Sequence, residues 1–171
     1  IPLRPVPQDE VKAFLQMHGA DDDRATLLAR LSSGRMGWAL NALKDETVME
    51  DRDDMLNMLN EAVYGSRVKR FEIAGDLEKI ARKDNTAMRY LLETWQTYWR
   101  DVLLMSEGGA VKPCNTDRIT EMQQLVQTLY PNDALKALQA TRKMLNETLK
   151  TNANVRMAFE VMFLDYPGLQ R

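Results

Sequence analysis

Few residues of this 171-residue chain have the types and spacing that chemistry demands. Cys114 is the only cysteine and His18 the only histidine. A catalytic thiol needs an activating base beside it, and one distant histidine is poor evidence for that. Cys114 sits in a Lys112-Pro113-Cys114-Asn115 stretch that reads as a loop. Metal sites need several ligands at fixed spacing, and no such spacing exists in the sequence. There is no Gly-rich phosphate loop with its Lys and Ser or Thr, no paired carboxylates on a recognisable motif, and no Ser-His-Asp set. The expectation is a non-enzyme with no cofactor and no metal. His18 precedes Gly19 at an expected helix end, where it suits the negative pole of the helix.

The charge balance narrows the partners. Net charge is −2, from 23 basic and 25 acidic residues, and the pI is about 5.5. A broad nucleic-acid face needs clustered positive charge to displace counterions. The two short basic groups, Arg67/Lys69/Arg70 and Lys79/Arg82/Lys83, are mixed with acids and read as solvated helix faces. No apolar run approaches the roughly 18 residues of a membrane span, and there is no signal peptide. A single cysteine forbids an internal disulfide and suits a cytoplasmic location. Eleven methionines fit either an adaptable core or a surface that meets several related partners.

The elements that must carry these residues are all helices. The central stretch, Asn85 to Gly109, places Met88, Leu91, Leu92, Trp95, Tyr98, Trp99, Val102 and Leu103 at steps of three and four. That is the period of one helical face. Asp84 or Asn85 can cap it and Gly108-Gly109 can end it. Before it, the pattern predicts helices over 7–18, over a stretch opened by Asp21-Asp22-Asp23 and closed by Ser32-Ser33-Gly34, and over a short run holding Met36, Ala39, Leu40 and Leu43. A charged segment follows, and Thr47 with Glu50 reads as a capping box opening a fourth helix that stops at Gly65. A fifth spans 66–82 with Val68, Phe71, Ala74, Leu77, Ile80 and Ala81 inward. After the central helix come 116–130, ended by Pro131, then 132–150 through Leu135, Leu138, Leu145 and Leu149. The last covers 152–166, with Val155, Phe159, Met162, Phe163 and Tyr166 inside. Asn152 is placed to cap this last helix, with Asn154 as the alternative.

Four segments carry a resemblance to a known family. Ala29-Arg30-Leu31-Ser32-Ser33-Gly34-Arg35-Met36-Gly37-Trp38-Ala39-Leu40 resembles the opening of the third lid helix in AAA+ clamp-loader subunits. Leu3-Arg4-Pro5-Val6-Pro7, with Glu10-Val11 and Phe14-Leu15, is similar to the segment leading into that lid. Trp99-Arg100-Asp101-Val102-Leu103 resembles the Trp-x-Arg-Asp-Leu-Leu region of the delta-prime subunits of bacterial DNA polymerase III. Asn152-Ala153-Asn154-Val155-Arg156, then Phe159-Glu160 and Phe163-Leu164, resembles their closing helix.

The resemblance implies an all-α fragment without its nucleotide-binding domain, consistent with a chain that opens on Ile1. Residues 1–44 would be a three-helix lid-like bundle, and 47–171 a helical collar of about six helices that joins subunits in a ring. The implied partners are gamma/tau-type and delta-type subunits, with the sliding clamp and primed DNA met through the full complex during replication. The position where catalytic relatives carry a nucleotide-sensing arginine falls on Gly37, with Arg35 two residues earlier. Candidate interface residues are Trp38, Asn152, Asn154 and Arg156. Trp38 lies off the apolar stripe of its helix and faces either a neighbour or a half-buried core. The competing expectation is a free-standing helical adaptor that binds a partner helix.

Overall fold

The computed structural model describes residues 5–108, 111–130, 132–146 and 154–168. Among these the chain is all-α, with nine α-helices, one 3-10 turn and no strand. Three short helices come first: α1 (Gln8–Met17), α2 (Asp22–Leu31) and α3 (Met36–Lys44). The rest are α4 (Thr47–Tyr64), α5 (Arg67–Lys83), α6 (Asn85–Ser106), α7 (Ile119–Thr128), α8 (Asp133–Asn146) and α9 (Val155–Leu164).

α6 is the axis. Its N-terminus is fixed by Asp84, whose Oδ1 accepts from the Thr86 and Ala87 N–H groups at 2.8 and 3.0 Å. Gly108, at φ +66°, follows its end in the left-handed region that only glycine adopts freely. Met88, Leu91, Leu92, Trp95, Tyr98, Trp99 and Val102 are all buried. α6 packs on α4, α5, α7 and α8, and α9 closes the group against α5 and α8. The Trp95 indole donates to the Met55 carbonyl at 2.8 Å, which ties α6 to α4. The Trp99 ring stands edge-on to Tyr166 with centroids 5.2 Å apart, a geometry favoured by the ring quadrupoles. Burial pushes the Tyr166 phenol well above its ordinary pKa.

A second hydrophobic cluster shares no residue with the first. It holds Val11, Leu15, Ala25, Leu28, Ala29, Ala39 and Ala42 from α1–α3, with Val48 and Met49 of α4 packed against it. Asp21 caps α2 by accepting from Arg24 N–H at 2.8 Å. At the end of α1, His18 Nδ1 lies 2.8 Å from the Phe14 carbonyl.

Several local expectations are corrected. The Thr47–Glu50 capping box does not form. Asp45 does that work instead, its Oδ1 accepting from Thr47 N–H and Oγ1 at 3.0 and 2.7 Å. On α5, Val68 and Phe71 are exposed, and Arg70, Ile73, Ala74 and Leu77 face inward. The helix is rotated because Arg70 reaches carbonyls beneath it, so Arg70 is not part of a solvated face. On α8, Leu135 is exposed and Ala134, Ala137, Thr141, Met144 and Leu145 are buried. Small side chains there let α8 approach the crowded aromatic face of α6. α9 begins at Val155 with Asn154 as its cap. Asn152 and Leu149 lie outside the described residues.

Candidate subunit interface

α9 is apolar nearly all round, reading VRMAFEVMFL. A helix of that kind is ordinarily covered on every side. Here Phe159, Met162 and Phe163 are buried, while Met157, Val161 and Leu164 are 60, 55 and 67% exposed. The spacing of the three, four then three residues, puts them on one outer stripe. Both ends of the helix are pinned. At the start, Asn154 Oδ1 accepts from Met157 N–H at 3.1 Å, and Arg156 Nε donates to Glu160 Oε1 at 3.0 Å.

At the other end the Arg70 guanidinium gathers four carbonyls. It donates to Tyr166 and Val63 at 3.2 Å each, and also to Phe163 and Pro167. A helix C-terminus leaves its last carbonyls without partners, and one planar fork supplies them here for α9 while also reaching the end of α4. Burial pushes the Arg70 pKa down to about 10, so it remains a cation at neutral pH. Its Nε is buried without a partner among the described residues. Gly168, at φ +100°, passes so close that a Cβ there would sit 2.1 Å from the Val63 carbonyl oxygen. The turn at Pro167 and Gly168 is thereby held against α4 and α5.

Two hollows flank α9. A groove of about 330 Å³ runs between α8 and α9, based on Ala140, Met144 and Met162 and edged by Met157, Val161, Lys143 and Asp165. A hollow of about 520 Å³ opens at the far end, bordered by Tyr64, Arg67, Tyr130, Lys136 and Leu164. The uncovered stripe of α9 therefore runs from one depression to the other.

The remaining sequence candidates fall elsewhere. Arg35 is the N-cap residue of α3, its Nε donating to the Ser32 carbonyl at 3.0 Å. Its Nη1 meets Glu93 Oε2 of α6 at 3.1 Å. Gly37 lies in the first turn of α3 with open space where a Cβ would be. Trp38 is half-buried, and its indole donates to the Tyr90 hydroxyl at 3.2 Å. Asn154 and Arg156 share the start of α9, whereas Arg35, Gly37 and Trp38 share the start of α3. Among the described residues no hydrogen bond or ion pair joins the two groups.

Sequence reading missed the buried polar residues that organise the loop before α7. Asp101 is fully buried on α6 and accepts from the Asn115 backbone N–H and Nδ2, both at 2.8 Å. Arg52 of α4 is 2% exposed and donates to Asn115 Oδ1 and Asp117 Oδ2, both at 2.7 Å. The signal was register. Arg52, Leu56, Leu59 and Val63 form one stripe, as do Arg70, Ile73, Ala74 and Leu77, with an arginine at an apolar position in each. Beside this network, burial pushes the Cys114 thiol pKa up and the Asp101 carboxylate adds to the shift. That is the direction opposite to an activated nucleophile. Among the described residues no group of three His, Cys, Asp or Glu side chains is arranged to hold a metal, and no helix is long and apolar enough to cross a membrane.

Among the described residues, fold and surface together define an all-helical protein with an uncovered apolar stripe on α9. No protein-family model, no curated protein and no solved structure matches this chain.

Proposed function

We propose that this chain is a non-catalytic assembly piece of a clamp loader, of the delta-prime type. Residues 1–44 act as the lid-like unit and 47–171 as the collar that joins a ring of subunits. The observation that carries the reading is the outer stripe of α9, Met157, Val161 and Leu164, exposed on a helix whose ends are both fixed. An apolar face rimmed by polar groups marks a protein-docking surface. The near-neutral charge favours protein over DNA as the partner. The order of the family-like segments along the chain supplies the identity of the partners, gamma/tau-type and delta-type subunits. Arg35 is engaged by Glu93 and the Ser32 carbonyl, which supports a lid that does not read nucleotide.

The test is size-exclusion chromatography with light scattering, with the chain alone and mixed with a gamma/tau-type subunit. The expected result is a monomer alone and a nucleotide-independent complex in the mixture. Val161→Glu should abolish the complex and leave the melting curve in place, because Val161 is exposed. A stable homodimer that ignores the partner would overturn the assignment in favour of a helical adaptor. That second reading draws on the α8–α9 groove of about 330 Å³, floored by Ala140, Met144 and Met162, the kind of apolar depression that takes the apolar face of a partner helix.

A further inference from the structure

The joint between the two hydrophobic clusters is built unlike either of them. On the N-terminal side it presents Leu31, Arg35 and Trp38, and opposite them stand Arg52, Tyr90, Glu93, Thr94, Thr97 and Asn115. Every one of the opposing residues carries a polar group. Among the described residues two side-chain hydrogen bonds cross the joint toward α6: Arg35 Nη1 to Glu93 Oε2 at 3.1 Å and Trp38 Nε1 to Tyr90 Oη at 3.2 Å. The ion pair is open to solvent, with side chains 47% and 37% exposed. A pair so exposed is weak and screened by salt.

The polar groups opposite the N-terminal unit are satisfied without it. Thr94 and Thr97 donate their hydroxyls to the Tyr90 and Glu93 carbonyls within α6, both at 2.9 Å. Arg52 and Asn115 are bonded to Asp117 and Asp101. Separation along this face therefore strands no buried donor or acceptor, which is the usual reason that polar faces stay shut. The other edge of the joint is different. Only Asp45 and Glu46 separate α3 from α4, and Val48 and Met49 keep apolar contact with the small cluster. One edge is a two-residue connection beside an apolar contact, and the opposite edge is polar.

We propose that the α1–α3 unit is held on α6 by a releasable latch, Arg35–Glu93 with Trp38–Tyr90, and swings about Asp45–Glu46 when the latch opens. The latch is a property of the chain itself and does not depend on the clamp-loader reading. Interfaces of this polar kind within one chain are where relative motion is the default. The swing changes the angle at which α1–α3 is presented, while α9 and its outer stripe stay with α4–α8.

The experiment measures a distance across the joint in the full chain. Spin labels are placed on Asp23→Cys and Gln127→Cys in a Cys114→Ser background, and pulsed electron resonance gives the distance distribution. With the native latch at low salt a single narrow distribution is expected. Trp38→Phe combined with Glu93→Gln should broaden it and add a longer-distance population. The native latch in about 1 M salt, where screening reaches within roughly 3 Å, should broaden in the same sense. A narrow, unshifted distribution in the folded double variant overturns the proposal. If that variant does not fold, the salt series decides: an unchanged distribution from low to high salt overturns the latch, and broadening supports it.

Discussion

The two hydrophobic clusters are made of different materials. The larger is built on Trp95, Tyr98, Trp99, Phe159, Phe163 and Tyr166 around α6. The smaller, in α1–α3, has Val11, Leu15 and Leu28 with four alanines. Large aromatics each bury on the order of 150–250 Å², and their rings lock one another in orientation. Alanines contribute little area and serve by letting helices approach closely. The larger region can therefore carry buried arginines and still leave an apolar stripe of α9 uncovered. The smaller one has no such reserve, and Val48 and Met49 from α4 complete its packing. A region rich in fixed aromatic contacts holds a surface at a set angle, and a small alanine-lined region is suited to being moved as a unit.

The strongest way to break this comparison is to remove an aromatic from the larger region. Trp95→Ala should cost about 4 kcal/mol, the usual range for a fully buried large side chain, and should also remove the indole bond to the Met55 carbonyl. Urea unfolding followed by circular dichroism measures it, and a loss under about 1 kcal/mol would mean that α6 is not the axis. Leu28→Ala in the smaller region should cost about 3 kcal/mol and act locally. Hydrogen exchange should show α1–α3 losing protection while α5, α6 and α8 keep theirs. Uniform loss across all helices would show that the two clusters fold as one.

Arg70→Met sharpens the comparison from the polar side. It leaves the carbonyls of Val63, Phe163, Tyr166 and Pro167 without their shared donor, and a loss of about 2 kcal/mol is expected. Exchange should accelerate first at the end of α9. A variant as stable as the parent would show that burying this cation costs as much as its hydrogen bonds return. Asn154→Ala is the smallest change, about 1 kcal/mol for a lost N-cap, read from the thermal midpoint. Unchanged stability with weakened binding to a gamma/tau-type subunit would instead make Asn154 a contact residue.

Much of the fold was legible because helical period is a local property. The α6 stripe, its Asp84 cap and the stop at Gly108 all follow from neighbours three and four residues apart. The failures were of rotation. Val68 and Phe71 were expected inside and Leu135 with them, since hydrophobicity chooses the apolar residue of a pair of faces. Arg70 took the inward slot on α5 because four carbonyls from α4, α9 and the following turn converge on it. None of these is near Arg70 in sequence except Val63. At the candidate interface, Asn154 and Arg156 were named from the sequence and lie at the start of α9, but the exposed Met157, Val161 and Leu164 were not singled out. Whether an apolar residue is covered depends on which helix arrives beside it.

The sequence by itself determined the all-helical character and most helix spans among the described residues, because capping, period and glycine stops act within a single turn or two. Only the tertiary structure decided which face of α5 and α8 turns inward, that Asp101 and Asn115 join α6 to the loop before α7, and that Trp38 finds Tyr90. Those outcomes depend on groups 14 to about 100 residues apart meeting in space. A buried charge is tolerated only where such distant partners converge, and no local pattern encodes that convergence.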